Sequence, residues 1–212
     1  MISEVWRGRG RFERFDEAAY GCGAAGPVES GRMPFSYYER LSARDRAIYR
    51  KSDAVTSLVL PDAERLRPLV EDIRLALVRG ERRAVEAAAG RLAVGLVGQL
   101  GLPPVAIEVL AVRPSAEWGE LHGLYTRDER RPARIQLWMR TVRHRRVVAF
   151  RTFLRTLLHE TGHHVDYELL RLADSFHTEG FFKRESSLFH QLVPEAGRGR
   201  GQDSDDPLPG LK

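Results

Sequence analysis

Apolar residues recur at two different periods along this chain, and the change of period separates a helical half from a mixed half. From Asp62 to Arg79 they recur at the spacing of an α-helix, with Asp62 suited to cap its start and Gly80 its end. A second helical pattern runs from Arg82 to Leu100 and stops at a glycine and a Pro-Pro pair. The two patterns predict an antiparallel helical hairpin.

The next segment has the shorter period of β-strands. Val105–Val112 is almost entirely apolar and rich in β-branched residues, which is typical of a buried strand. Residues 121–127 follow, and residues 134–139 alternate in the manner of a half-buried strand, with Ile135, Leu137 and Met139 on one side and Arg134, Gln136 and Trp138 on the other. These segments predict a small mixed β-sheet, in which an edge strand is available to pair with an extended peptide.

The ends of the chain lack these periods. Residues 1–34 are rich in arginine and glycine and predict a flexible arm, and the polar residues 195–212 predict a disordered tail. Order is expected from about Phe35. Ser36 and Ser42 are each followed three residues later by an acidic residue, as in a capping box, so one or two short helices are expected through about residue 50.

Helical periodicity returns from about Val147 to Leu172, and this helix contains the H-E-x-x-H sequence His159, Glu160 and His163. Positions i and i+4 share one face of a helix, so both imidazoles can reach one Zn²⁺ ion while Glu160 stands beside it. Neutral imidazoles bind Zn²⁺ and leave a position for water, which the carboxylate deprotonates. The apolar stripe of this helix lies on another face, at Phe150, Leu154, Leu157, Leu158, Thr161, Val165, Leu169 and Leu172.

A catalytic zinc ion usually has three protein ligands, so the motif predicts one more. The metzincin extension fails because Asp166 and Leu169 stand where it requires glycine and histidine. His177 lies in the break between the motif helix and a last helix, about Glu179 to Val193, and is the favoured ligand. Glu179 and Glu185 are the alternatives, although Glu185 has the pattern of a solvated charge on an amphipathic helix.

The helix HETGH, the later histidine and the Phe-Phe pair of HTEGFFKRES resemble the SprT-like and related minimal metalloprotease domains, as does the upstream GLY…IQLW. The resemblance covers about Val105 to Val193. It implies an α+β zincin-like fold, with a small mixed sheet packed on the motif helix. It also implies that His159, His163 and His177 bind Zn²⁺ and that Glu160 is the general base. The Cys-rich zinc ribbon of that family is absent from this sequence.

The resulting division is a flexible arm at 1–34, a helical region packed on the catalytic domain at 35–104, a zincin-like metalloprotease domain at 105–194 and a disordered tail at 195–212. The predicted function is that of a zinc metallopeptidase acting on a protein or peptide, and the resemblance extends this to proteins on DNA. The alternative is a non-catalytic zinc-containing protein that binds nucleic acid or regulates a partner. Glu160 favours the enzyme, because a structural zinc site has no need of it.

Composition and charge add the cellular setting. The sequence contains no run of about 18 apolar residues, so it predicts no membrane span. No apolar stretch follows the N-terminus, so it predicts no secretory signal. Cys22 is the only cysteine, which fits a reducing cytoplasm. The formal net charge is +5, and the Arg-rich segment 140–155 is a candidate contact for nucleic acid. A solvated charged face is the alternative interpretation of that segment.

Five further polar residues have expected roles near the motif. One of Tyr125, His122 and Tyr167 is expected to stabilise an oxyanion beside the metal, although the sequence does not distinguish among them. Asp166 either accepts a hydrogen bond from the N–H of a ligand, or it caps the helix or lies on its solvated face. His164 points away from the ligand face and is expected to pack or to lie at the surface.

Overall fold

The computed structural model describes residue 35 and residues 37–116, 119–128 and 130–194. The predicted arm (1–34) and tail (195–212), and Ser36 of the first capping box, lie outside the described residues. Within the described ranges, no helix combines the length and the apolarity that crossing a membrane requires.

The first part of the chain is helical, as the apolar periods predict. A short 3-10 helix, Tyr38–Arg40, precedes three α-helices, the first two of which begin at a residue that caps them. Ser42 and Asp62 each accept a hydrogen bond from a backbone N–H of the helix that they begin, and Gly80 ends its helix with a left-handed φ of 68°. The helices are α1 (Ala43–Asp53), α2 (Ala63–Arg79) and α3 (Arg82–Gln99).

The described strands form a mixed sheet in the order β1-β5-β4 and a separate short ribbon of β2 and β3. Strand β1 is parallel to β5, whereas β4 is antiparallel to it, so β5 is central and β4 lies at an edge. The predicted small mixed sheet is therefore confirmed. The strands are β1 (Val105–Val112), β2 (Ser115–Ala116), β3 (Gly119–Glu120), β4 (Gly123–Asp128) and β5 (Arg131–Arg140).

The strand β5 departs from the predicted alternation at its end. Trp138 is only 7% exposed, although the pattern grouped it with polar positions. The chain then turns back, because Val147 pairs with Arg140 and the N–H of Val148 donates to the carbonyl of Met139. These bonds hold residues that the sequence assigned to the motif helix. The predicted start of that helix near Val147 is therefore wrong.

The last two helices complete the fold. Helix α4 (Phe150–Glu168) carries the H-E-x-x-H sequence, and α5 (Glu179–Leu192) begins at Thr178, whose side chain accepts a bond from the N–H of Phe181. The apolar stripe of α4 is confirmed within the helix, where Leu154 and Val165 are fully buried. Leu169, beyond the end of the helix, is 41% exposed.

Helix α4 is covered on both sides. It packs against β4 and β5 on one side and against α5 on the other. Several of its polar residues are therefore buried too: His159 is 4%, Glu160 6% and Asp166 0% exposed. The core is continuous from α2 and α3 through the sheet to α4 and α5, so the predicted helical region and the predicted metalloprotease domain share it.

The approach of α5 to the end of α1 depends on Gly180. A Cβ at this position would lie 2.4 Å from the carbonyl oxygen of Asp53, a backbone atom that cannot move alone. We expect Gly180→Ala to lower the free energy of unfolding by about 1–3 kcal/mol, because the added methyl group would force the two helices apart. Chemical denaturation of the two proteins measures the change.

Gly90→Ala is the matched control. A Cβ at Gly90, inside α3, meets no atom within 4 Å. Alanine is favoured over glycine inside a helix, so this change is expected to raise the free energy of unfolding by about 0.5–1 kcal/mol. Equal stability losses in both variants would contradict the role assigned to the α1–α5 contact.

Candidate metal centre

Three imidazoles converge where α4 faces the loop before α5. The Nε2 atom of His177 lies 3.0 Å from Nε2 of His159 and 3.3 Å from Nε2 of His163. Ligand atoms of the three residues all lie within 4.8 Å of one another. The structure thus brings the two motif histidines together with the loop histidine, close enough to bind one metal ion.

These separations fit a tetrahedral ion. With metal–nitrogen bonds of about 2.0–2.1 Å and tetrahedral angles, two ligand nitrogens lie about 3.3–3.4 Å apart. The observed Nε2–Nε2 separations of 3.0 and 3.3 Å are close to that value. The spacing therefore needs little adjustment of the rings to hold an ion of the size of Zn²⁺.

The outward nitrogen of His159 contacts a buried carboxylate. Its Nδ1 lies 3.2 Å from Oε2 of Glu185, while the other oxygen of Glu185 accepts a bond of 3.2 Å from Arg155. Glu185 is 2% exposed, so the interpretation of this residue as a solvated charge is wrong. A carboxylate at Nδ1 holds the proton there and leaves the Nε2 lone pair for a metal ion, so Glu185 orients the ring of His159.

The outward nitrogen of His163 is hydrogen-bonded to the hydroxyl of Ser175, and the other partner of that hydroxyl sets the direction of the bond. The hydroxyl of Ser175 donates to Oδ2 of Asp166 at 2.7 Å, so its oxygen is left to accept from Nδ1–H of His163 at 2.8 Å. His163 therefore also carries its proton on Nδ1 and directs a lone pair inward. Asp166 is thus linked to His163 through Ser175. It does not lie on a solvated face of the helix, because it is fully buried.

The surroundings keep the rings of His163 and His177 neutral. Burial, together with His159, lowers the pKa of His177 to about 3. Burial and the neighbouring His177 and His159 also lower the pKa of His163 well below its ordinary value. Neutral imidazole is the form that binds metal, so at neutral pH both rings are ready to do so without losing a proton first.

An aromatic ring supports the cluster from α5. The ring centroid of Phe181 lies 4.9 Å from His159, 5.0 Å from His163 and 5.3 Å from His177. Gly162 allows this approach, because a Cβ there would lie 2.9 Å from the Phe181 ring. The first phenylalanine of the Phe-Phe pair thus packs beneath all three rings and limits their movement.

Glu160 lies between the metal cluster and the edge strand of the sheet. A Cβ at Gly123, the first residue of β4, would lie 2.4 Å from Oε1 of Glu160, so only glycine leaves room for the carboxylate. The backbone of Tyr125 hydrogen-bonds to it. Burial, opposed by His159, raises the pKa of Glu160 to about 7.

The other candidate residues are used elsewhere. Glu179 pairs with Lys183 along α5. The hydroxyl of Tyr125 is 3.0 Å from Nδ1 of His164, whose Nε2 is 2.9 Å from the carbonyl of Pro103, so His164 packs in the interior. Tyr167 donates to Asp174 at 3.3 Å, and His122 is half-buried just before β4. Which residue stabilises an oxyanion therefore stays a prediction.

Two residues of the site escaped the sequence analysis. Arg184 is 1% exposed and pairs with Asp166 at 2.6 Å, and Ser175 joins Asp166 to His163. A signal for Arg184 was present, because residues 181, 184, 185, 188, 189 and 192 share one helical face. Charged residues on an otherwise apolar face indicate buried and paired groups. Ser175, in a loop, had no such signal.

Comparison with protein-family models, with curated proteins and with solved structures finds no significant match to this chain.

The geometry of the three rings predicts the outcome of two substitutions. The purified protein is expected to hold about one zinc ion per chain, and His177→Ala is expected to lose most of it, since two imidazoles bind the ion far less tightly than three. Glu179→Ala removes the neighbouring acidic residue and is expected to keep the zinc. Metal analysis after dialysis measures both.

Glu185→Gln tests the assignment of Glu185 as an orienting group. Loss of such a partner weakens metal binding by about 10–100-fold and does not abolish it. Full zinc retention in His177→Ala, with loss in either glutamate variant, would transfer the third ligand position to that glutamate.

Proposed function

We propose that this protein is a zinc-dependent metallopeptidase whose metal ligands are His159, His163 and His177. The observation that carries the proposal is the convergence of three Nε2 atoms, at 3.0 and 3.3 Å, beside a buried glutamate on the same helix. Three histidines leave a fourth position for water or substrate, as in catalytic zinc sites. Glu160 is the group in that setting that can accept a proton.

A bound Zn²⁺ ion would polarise the scissile carbonyl and lower the pKa of a water molecule to about 7. Glu160 would accept a proton from the attacking water as the oxygen of that water bonds to the carbonyl carbon. As the carbon–nitrogen bond breaks, Glu160 would pass that proton to the leaving amine. Gly123 keeps the carboxylate in place, and the backbone of Tyr125 bonds to it.

The arrangement of the acidic residues disfavours a purely structural zinc site. Such a site is closed by four protein ligands, and Glu179 and Glu185 are the acidic residues that the sequence offered as alternative ligands. Glu185 contacts the outward nitrogen of His159, and Glu179 pairs with Lys183. Neither belongs to the described metal cluster. The non-catalytic alternative therefore has less support than the enzyme.

The substrate we propose is a protein or peptide segment in extended conformation. In the described sheet, β4 is an edge strand, and it begins at the glycine that contacts Glu160. An extended chain that pairs with this edge would pass close to the metal cluster. The resemblance to SprT-like domains supports the peptidase class and the zincin-like fold. Cys22, the only cysteine, supports a cytoplasmic location.

Glu160→Gln separates catalysis from metal binding. The amide cannot accept the proton of water, so casein cleavage is expected to fall by about 10²–10⁴-fold while the zinc content stays that of the wild type. Gly123→Ala is expected to lower cleavage with zinc retained, because its methyl group displaces the Glu160 carboxylate. Gly90→Ala, in α3, is the control and is expected to keep both properties.

Zinc content and casein cleavage are measured on the same samples. Unchanged cleavage by Glu160→Gln would remove Glu160 as the base. A wild type that binds zinc without cleaving any tested protein would favour the non-catalytic alternative.

A second proposal concerns the Arg-rich segment 140–155. Arg155 pairs with Glu185, and Arg140 donates to the carbonyl of Arg145, so these side chains have structural partners. Arg143 and Arg146 are exposed in the loop between β5 and α4. A cluster of exposed guanidinium groups can neutralise phosphates, which supports contact with nucleic acid through this loop.

The double variant Arg143→Ala/Arg146→Ala tests this contact. Binding to a labelled DNA duplex, followed by fluorescence anisotropy over a range of salt concentrations, is expected to weaken. The slope of log K against log salt is expected to fall by about 2, one for each lost phosphate contact. Arg44→Ala/Arg50→Ala, two exposed arginines of α1, is the matched control. Equal binding by both double variants would contradict the proposed contact.

A further inference from the structure

Arg184 is the most deeply buried charged group of α5. It is 1% exposed, and its guanidinium donates to four acceptors. One terminal nitrogen donates to the carbonyls of Ser52 and Val55, at 2.5 and 2.6 Å. The other donates to the hydroxyl of Ser52 at 3.0 Å and to Asp166 at 2.6 Å. Arg184 therefore joins α5 to the end of α1 and to the helix that carries the motif.

From Arg184 a continuous chain of hydrogen bonds leads to a metal ligand. One oxygen of Asp166 accepts from Arg184, and the other accepts from Ser175 at 2.7 Å. Ser175 in turn accepts from Nδ1 of His163 at 2.8 Å. The direction of each bond is determined, because Asp166 only accepts and Arg184 only donates. The Ser175 hydroxyl is therefore oriented to accept from the ring.

We propose that Arg184 is a positioning residue of the metal site: through Asp166 and Ser175 it holds the ring of His163 in its metal-binding orientation. The inference rests on the proposed metal site and adds to it a group that touches no ligand. Without the guanidinium, the buried carboxylate of Asp166 loses its cationic partner and turns away. Ser175 then loses its acceptor, and its hydroxyl no longer orients His163.

The segment around α1, which Arg184 contacts, also bonds to the loop of the third proposed ligand, His177. The hydroxyl of Tyr37 donates to the carbonyl of His177 at 3.0 Å, and the N–H of Gly180 donates to Asp53 at 2.8 Å. The segment from Tyr37 to Val55 therefore contacts the loop of His177 directly and the ring of His163 through Arg184. Packing of α1 against α5 and the affinity for metal are accordingly linked, although α1 supplies no ligand.

The test measures zinc affinity and stability separately in the full chain. Zinc dissociation constants are obtained by competition with a chromophoric chelator, and the unfolding midpoint is measured after the metal has been removed. Ser175→Ala and Arg184→Met are each expected to weaken zinc binding by about 10–100-fold, the range for groups that orient a ligand. Ser175→Ala is expected to leave the metal-free midpoint near that of the wild type.

The double variant Arg184→Met/Ser175→Ala decides whether Arg184 acts through Ser175. If both changes interrupt the same chain of hydrogen bonds, the double variant binds zinc about as tightly as the single variant with the lower zinc affinity. If the loss of zinc affinity in the double variant is instead the product of the losses in the two single variants, the inference is overturned. Unchanged zinc affinity in a folded Arg184→Met would also overturn it. The second result would leave Arg184 with a role in stability alone.

Ser187→Ala is the matched control. Ser187 also lies in α5 and donates to the carbonyl of Leu58 at 3.0 Å, which is the same kind of link to the segment after α1. Ser187 is not part of the chain of hydrogen bonds from Arg184 to His163, so the Ser187→Ala variant is expected to keep the zinc affinity of the wild type. Weakening as strong as in Ser175→Ala would show that general loosening of α5 explains the effect and would overturn the inference.

Asp166→Asn keeps the test decisive if Arg184→Met does not fold. Arg184 and Ser175 bond to different oxygens of Asp166, and asparagine keeps an acceptor at only one of these two positions, so zinc binding is expected to weaken within the same range. Unchanged affinity in this variant would overturn the inference. A wild type that binds no zinc would instead contradict the metal site itself, so the two failures are distinguishable.

Discussion

The site depends on one constraint, which is that imidazole rings largely removed from water need partners for their outward nitrogens. Glu185 meets this need for His159, and Ser175 meets it for His163. Each partner holds a proton on Nδ1 and thereby directs the Nε2 lone pair toward the same point. The metal-binding arrangement is thus a consequence of satisfying polar groups in an interior where an unpaired one costs about 1–3 kcal/mol.

Burial of α4 on both faces creates this constraint and also provides its solution. The sheet approaches one face so closely that glycine is required at Gly123, and α5 approaches the other so closely that glycine is required at Gly162. Phe181 occupies the space that Gly162 leaves and supports the three histidine rings. The carboxylates that serve the rings, on α4 and α5, are enclosed by the same packing.

The helical part of the chain takes part in the site without supplying a ligand. Its helices α2 and α3 belong to the same apolar core as the sheet and α4. Its first residues bond to the loop of His177 and to Arg184. The reason is geometric: α5 and the loop before it have the motif helix on one side only, and α1 covers part of the remainder.

The sequence by itself determined the elements and the residues that one helix presents together. Apolar period predicted the helical hairpin, the mixed sheet and the pairing of His159 with His163, because these follow from geometry within a single element. Only the tertiary structure decided which residue of another element faces that pair. In the tertiary structure His177 lies beside this pair, Glu185 contacts the outward nitrogen of His159, and Arg184 is buried. Periodicity could not predict these contacts, because it describes the faces of one helix and not the residues that pack against them.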